Sequence, residues 1–313
     1  MEIKINAIVT NSQDNLKSTI SATINYTGGI ASVTMNGKEM QEENGTYSLE
    51  VTKNGKYTIF VKDNNNGYKM ETVEVSGLLS YVDEIWNVAQ LIQFRDSVNA
   101  GLNYEGRTVI LKSDLDLEEI ENWTPIGYVN ESGSAQFSGT FEGNNHTITN
   151  LKIQNERGFF CEIVGGTVKN LNFEKVNISS NQQFTGVVVG QLFGTFENVN
   201  VRSGNLILNG GYSGGIAGAV TFGTMVRCTN EATISSTEGA VGGITGQLCG
   251  IISACVNKGA ISSTKLSVGG ICGQSFTHNV VEGETIIENC YNTGAITANN
   301  DVERVGRYLR KRI

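Results

Sequence analysis

Gly190, Gly218, Gly246 and Gly273 follow one another at steps of 28, 28 and 27 residues. The same register carries two further columns, Leu171, Val199, Cys228, Cys255 and Cys290, then Ile178, Leu206, Ile234, Ile261 and Ile296. A period of this length sustained in several columns marks stacked units, each burying its apolar face only against its neighbours. Short runs between glycines make the unit one turn of a parallel β-helix, in which equal positions on successive turns form ladders. The isoleucine column is expected to point inward, where each side chain removed from water contributes about 1.5–3 kcal/mol. The paired glycines of Gly214-Gly-Ile-Ala-Gly218, Gly242-Gly-Ile-Thr-Gly246 and Gly269-Gly-Ile-Cys-Gly273 are expected where a Cβ would clash with a neighbouring backbone or where φ is positive. Asn230, Asn257 and Asn292, each two residues after a column cysteine, predict a second ladder, since Asn tolerates a left-handed bend and can bond the residue above. The step from Cys255 to Cys290 is 35 residues, so an insertion is expected near Phe276 to Glu284. Beyond it, Val302-Glu-Arg-Val-Gly-Arg-Tyr-Leu309 carries charges where another glycine pair should stand, which blunts or truncates the array.

A length of 313 residues makes two domains the expectation, and 38 glycines beside the single Pro125 point to tight turns between strands rather than a disordered chain. Residues 1–77 read differently from the rest. Ser18 to Tyr26, Tyr47 to Val51, Tyr57 to Val61 and Met70 to Val75 alternate with the period of half-buried strands. Four Asn-Gly dipeptides, beginning at Asn36, Asn44, Asn54 and Asn66, punctuate them, the strongest short hairpin signal because both residues tolerate positive φ. An antiparallel sandwich over 1–77 follows. Asp63-Asn-Asn-Asn-Gly67 is a polar hairpin tip rather than a calcium loop, since no bidentate Glu follows at the required spacing.

One helix is predicted, beginning after residue 86. Asn87 caps it with Gln90 as capping-box partner, Trp86 and Leu91 occupy the staple positions, and Val88, Leu91, Ile92, Phe94 and Val98 form an apolar face that ends at Gly101. Laid over the first coil, such a helix would cover an otherwise open strand edge and a raw core.

Two resemblances follow from these residues. Asn54-Gly-Lys-Tyr-Thr-Ile-Phe-Val-Lys-Asp63 resembles the late strands of bacterial immunoglobulin-like domains. Ala89-Gln-Leu-Ile-Gln-Phe94, Trp123-Thr-Pro-Ile-Gly127 and Phe137-Ser-Gly-Thr-Phe-Glu-Gly143, followed by the Gly-Gly-Ile-x-Gly turns, resemble bacterial surface proteins with GLUG repeats over residues 85 to about 300. The expected fold is all-β: an immunoglobulin-like sandwich (1–77), then a right-handed parallel β-helix capped by one short α-helix (78–313).

Chemistry is sparse. GLUG repeats also occur in large immunoglobulin A metalloproteases, where zinc hydrolysis would need His-Glu-x-x-His. Here His146, in a Gly-Asn-x-His-Thr-Ile turn, and His278, in the insertion, stand in unrelated settings. Asp114, Asp116, Glu118, Glu119 and Glu121 cluster as a polysaccharide-cleaving β-helix requires, yet read as a solvated loop. No catalytic, cofactor-binding or metal-ligating residue is assigned, and no cofactor is expected. Six sparse cysteines oppose a disulfide scaffold, and Cys228, Cys255 and Cys290, stacked in one column, read as buried thiols. A net charge of −8 without basic clusters opposes nucleic acid as a partner, the basic tail Arg304, Arg307, Arg310, Lys311, Arg312 reading as a solvated end. No apolar run is long enough for membrane insertion, and no signal peptide stands at the start. The resemblance implies a cell-surface or extracellular, non-enzymatic, adhesin-like protein that recognises glycan or protein on another surface. The alternatives are a phage tail or appendage protein and a β-helix polysaccharide lyase or hydrolase.

Overall fold

The computed structural model describes residues 2–264, 267–275, 285–298 and 304–306. The chain divides into two compact units, Met1–Ser80 and Tyr81–Ile313.

The first unit is a sandwich of two four-stranded antiparallel sheets. Lys4–Asn11, Ser18–Asn25, Thr46–Val51 and Gln41–Glu43 form one, in that spatial order. Lys38–Glu39, Ile30–Met35, Gly55–Asp63 and Tyr68–Val75 form the other. Their alternating inward residues, among them Ile20, Val33, Met35, Ile59 and Val61, are buried together. Asn36-Gly37 and Asn44-Gly45 take positive φ at both positions and close two-residue hairpins, as the dipeptide signal predicts. Asn54-Gly55 differs: it closes no hairpin, and the Asn54 amide instead clasps Leu78, donating to its carbonyl at 2.9 Å and accepting from its N–H at 2.8 Å. Asp63 accepts from Tyr26 Oη at 2.8 Å and from the N–H groups of Asn65 and Gly67, so its carboxylate organises the hairpin tip.

The second unit is a β-solenoid of about 7 turns. Three walls of parallel strands run along it. The long wall carries Thr108–Leu111, Thr140–Glu142, Phe160–Glu174, Val189–Val201, Ala217–Val226 and Thr245–Ser253. A polar wall stacks Lys152–Gln154, Val176–Ser180, Gly204–Leu208, Thr233–Ser236, Ile261–Ser263 and Ile296–Ala298. A glycine wall stacks Thr185–Gly186, Tyr212–Gly214, Ala240–Gly242, Ser267–Gly269 and Arg304–Gly306. The last pairing, Gly269 against Gly306, carries the glycine wall through the segment where the sequence departs from the glycine pattern.

The inward columns form as the period dictates. Ile178, Leu206, Ile234, Ile261 and Ile296 pair turn to turn, and the first four are fully or nearly fully buried. All six cysteines are free and buried. The Cys255 thiol on the preceding turn and burial hold the Cys290 thiol far above the usual range, so the stacked cysteines behave as small hydrophobes. Asn230, Asn257 and Asn292 form the predicted ladder, with amide bonds of 2.8 Å and 2.6 Å between successive turns.

One conformational expectation is corrected, and for the repeat glycines the first of the two expected reasons holds. The left-handed bend falls three residues before the ladder, at Asn170, Asn198, Arg227, Ala254 and Asn289, which share one column near φ 50°. The ladder asparagines themselves are straight strand residues. The repeat glycines need room rather than positive φ: a Cβ on Gly215 would strike the Gly243 carbonyl oxygen, and one on Gly243 that of Gly270. The insertion expected near Phe276 to Glu284, with His278, lies outside the described residues, as does most of the basic tail.

Helix α1 (Val88–Asn99) closes the first turn. Asn87 accepts from the Gln90 N–H at 3.0 Å, and the chain leaves through Gly101 at φ 110°. The Gln90 side chain bonds the N–H of Trp86 rather than that of Asn87. No staple forms, because Trp86 stands 55% exposed, held by Glu84 at its indole N–H and by the Lys112 ammonium over its ring. Phe94 covers the core of the first turns, its ring 5.0 Å from Tyr104, 5.5 Å from Phe137 and 5.8 Å from Phe141. Tyr104 is fully buried yet satisfied, its hydroxyl bonded to Ser97 and to the Val82 N–H.

Candidate functional site

The polar wall turns its isoleucine column inward, so the alternate residues face out. Along one outward column lie Lys152, Asn177, Asn205 and Thr233; along the other lie Gln154, Ser179, Ile207, Ser235, Ser262 and Thr297. Most are neutral hydrogen-bonding side chains at a regular spacing. Thr233 and Ser235 bond back to the turn below, through the carbonyls of Gly204 and Leu206. Asn177 and Ser179, where long side chains give way to short ones, remain exposed.

At that step lies a groove of about 680 Å³, lined by Glu121, Lys152, Gln154, Asn155, Asn177, Ser179 and Asn181 beside the edge of Ile153. Its lip is the segment before the regular coils. Asn122 pairs with the Gln154 backbone in both directions, and Lys152 donates to the Glu118 carbonyl at 2.7 Å. Glu121 stands at the rim, 90% exposed and 4.0 Å from Lys152 Nζ. The groove therefore offers one opposed charge pair and a bed of amides and hydroxyls.

The acidic cluster does not converge on this groove. Asp114 accepts from Thr147 N–H at 2.9 Å and lies 3.0 Å from His146 Nδ1. Asp116 accepts from Asn150 at 2.7 Å and from the Glu118 N–H. Both carboxylates are fastened to backbone and side chains of the following turn, and those bonds, led by the Thr147 N–H for Asp114 and the Asn150 amide for Asp116, lower their pKa values. A glycan-cleaving acid needs the opposite shift. Only Glu121 of the five reaches the groove. His146 sits in a tight turn, its N–H bonded to the Gly143 carbonyl after two left-handed asparagines.

Sequence reasoning missed a buried carboxylate. Glu162 is 7% exposed, 3.2 Å from the Gln136 amide and 3.7 Å from the Arg157 guanidinium, and burial raises its pKa. The available signal is a charged residue inside the apolar run Phe159-Phe-Cys-Glu-Ile-Val164. Among the described residues no three His, Cys, Asp or Glu side chains gather to hold a metal ion, and no helix is long and apolar enough to cross a membrane.

Residues 82–203 match the N-terminal region of the M26 IgA1-specific metallo-endopeptidases. Over 123 residues, 36% of this chain, the protein is 30% identical to halomucin of Haloquadratum walsbyi, a stretch that spans about 1% of halomucin. The crystal structure of a putative immunoglobulin A1 protease from Bacteroides ovatus shares the fold, with a TM-score of 0.50 and 21% identity over 73% of this chain and 79% of that one. These likenesses point to a surface or secreted protein. They also correct the expectation of a non-enzymatic chain, because the matched family is one of metallo-endopeptidases. That expectation leaned on the missing His-Glu-x-x-His, whereas the match is to the family's N-terminal region.

Proposed function

We propose that this chain is the partner-engaging region of a surface or secreted protein of the M26 protease type, and that the groove on its polar wall holds the protein partner. One observation carries the reading: every residue lining the groove, from Glu121 to Asn181, falls inside the segment that resembles the protease N-terminal region. The chemistry suits a protein surface. Neutral amides and hydroxyls can satisfy exposed peptide groups without a large desolvation cost, and the Glu121–Lys152 pair sets orientation at the rim. The Gly-Gly-Ile-x-Gly turns, which resemble GLUG repeats of surface proteins, and the leading sandwich, which resembles an immunoglobulin-like module, support the same adhesin-like engagement. The matched family favours immunoglobulin A1 as the partner, and it favours this reading over a phage appendage or a polysaccharide-cleaving enzyme.

The test is surface plasmon resonance of the full chain over immobilised immunoglobulin A1, with immunoglobulin G as control. Asn177→Arg and Ser179→Trp place bulk in the groove at exposed positions and leave the inward column untouched. Binding to immunoglobulin A1 alone, weakened at least about tenfold by each variant (about 1.4 kcal/mol), is expected. Equal binding to both immunoglobulins, or binding indifferent to both variants, refutes the reading.

A further inference from the structure

The glycine wall has an outward column of its own, reached by the same step as the glycines. Phe184, Tyr212, Ala240, Ser267 and Arg304 occupy successive turns of it, with Ala240 only 4% exposed at the floor. The first two rings stack, with centroids 5.4 Å apart and planes 13° from parallel. At the next turn the side chain falls to a methyl group, and at the one after to a hydroxymethyl. The stack thus ends on Tyr212, and above Ala240 lies a groove of about 370 Å³ bordered by Tyr212, Gln183, Gly239, Ala240, Ser267 and Gln274.

We propose that this groove is a saccharide subsite, in which one pyranose ring continues the aromatic stack over Ala240. Four features carry this. Strands of the wall are spaced about 4.8 Å apart, so the position above Tyr212 is one ring thickness away. The tyrosine ring presents a negative face, which attracts the weakly positive C–H face of a sugar as it attracts the edge of another ring. The polar groups around it, the Gln183 and Gln274 amides and the Ser267 hydroxyl, both donate and accept, as hydroxyl groups of a neutral sugar require. Among the described residues, none bordering the groove is charged, which disfavours phosphate or a charged peptide.

The backbone supplies a second, independent sign. Phe184 is held at φ 60°, a conformation that costs a bulky residue about 1 kcal/mol or more and that this fold elsewhere gives mainly to asparagine. Tyr104 and Phe222 share this conformation, and at Phe184 it places the ring that supports Tyr212. Gly239, at φ 67°, keeps the floor low: a Cβ there would strike the Gly211 carbonyl oxygen.

The subsite is separate from the groove on the polar wall. Apart from Gln183, its residues lie beyond the segment matched to the protease region, so the two readings stand or fall independently. The experiment is saturation-transfer difference NMR of the full chain with lactose, N-acetyllactosamine and cellobiose at millimolar concentration, with p-cresol as the planar aromatic control. At least one disaccharide is expected to receive saturation at its ring C–H protons. Tyr212→Ala should weaken it at least tenfold. Ala240→Phe, which fills the slot with a third ring, should abolish binding while the native circular dichroism is kept, at some cost in melting temperature because Ala240 is only 4% exposed. Should Tyr212→Ala lose its native circular dichroism, Ala240→Phe and Gln183→Ala carry the test. Failure of all three sugars, sugar binding that survives Ala240→Phe, or binding of p-cresol alone overturns the proposal.

Discussion

Asn257 is the most informative position in the stack. It is fully buried, and its side chain makes three hydrogen bonds: to the Asn292 side-chain Oδ1 at 2.6 Å, to the Gly259 backbone carbonyl at 2.8 Å, and from the Asn230 side-chain amide at 2.8 Å. At a net value of about 1 kcal/mol each, Asn257→Ala loses about 3 kcal/mol. Groups stranded on the turns above and below, where water cannot reach, bring the cost to about 3–5 kcal/mol. Asn292, half-buried at the end of the ladder, loses two bonds and can recover one from solvent, so Asn292→Ala costs about 1–2 kcal/mol. The Asn257–Asn292 bond is counted in both, so the double variant should be less destabilised than the sum by about 1 kcal/mol. The local probe is built in. Cys255, two residues away and fully buried, becomes reactive to maleimide only when this part of the coil opens. Its labelling rate, followed by peptide mass spectrometry under native conditions, should rise by roughly two to three and a half powers of ten in Asn257→Ala. A rise below about fivefold would mean that the ladder contributes less than about 1 kcal/mol and that the packed isoleucine column alone holds the turns.

Two further outcomes rest on buried polar groups elsewhere. Ser213 is fully buried and its hydroxyl has no hydrogen-bond partner, while the turns above and below offer Val241 and Thr185 in the same column. Ser213→Ala should therefore raise stability by about 1 kcal/mol, read as a higher melting temperature; a lower one would show that the hydroxyl is satisfied. Glu162 has its pKa raised above the ordinary 4.5 by burial, so the folded state binds the proton more tightly than the unfolded chain does. Stability falls as pH rises from 4.5 through the folded pKa, and the deficit persists at neutral pH. Glu162→Gln should then melt higher than the parent at pH 7 and lose that advantage below pH 4.5; a constant gain across the range would exclude titration as its cause.

The repeat columns were legible because a single step, applied to any inward residue, finds its partner on the next turn. Leu171 finds Val199, Ile234 finds Ile261, and Asn230 finds Asn257. The same step applied to Phe184 reaches Tyr212, Ala240 and Ser267, so the aromatic column was also within reach, although nothing in a list of residue types says which columns face out. Other features needed coordinates. The acids at 114 to 121 look like one cluster along the chain, but Asp114 and Asp116 are claimed by His146, Thr147 and Asn150, 32 to 34 residues later, before the regular period begins. Trp86 occupies a staple position, and only the approach of Lys112 and Glu84 explains why it stays outside. The left-handed column mixes Asn, Arg and Ala, residue types that share no sequence signal for positive φ.

In a solenoid the inward and outward columns carry different constraints, and the two grooves follow from that difference. An inward side chain contacts the residues directly above and below it, so a change of size or polarity there is felt by both neighbouring turns. An outward side chain meets solvent, and its column can change character from one turn to the next without disturbing the core. Where the change is from long to short, backbone is uncovered and a hollow appears at the step. Lys152 and Gln154 give way to Asn177 and Ser179 at the first groove, and Tyr212 gives way to Ala240 at the second. The wall of the step then decides what fits: in the first it is a lysine beside a glutamate with amides around them, in the second the face of an aromatic ring. Recognition in this fold is therefore written in the outward columns at the turns where side-chain size drops, and substitutions confined to the exposed side chains of those turns should alter binding while leaving the melting of the coil unchanged.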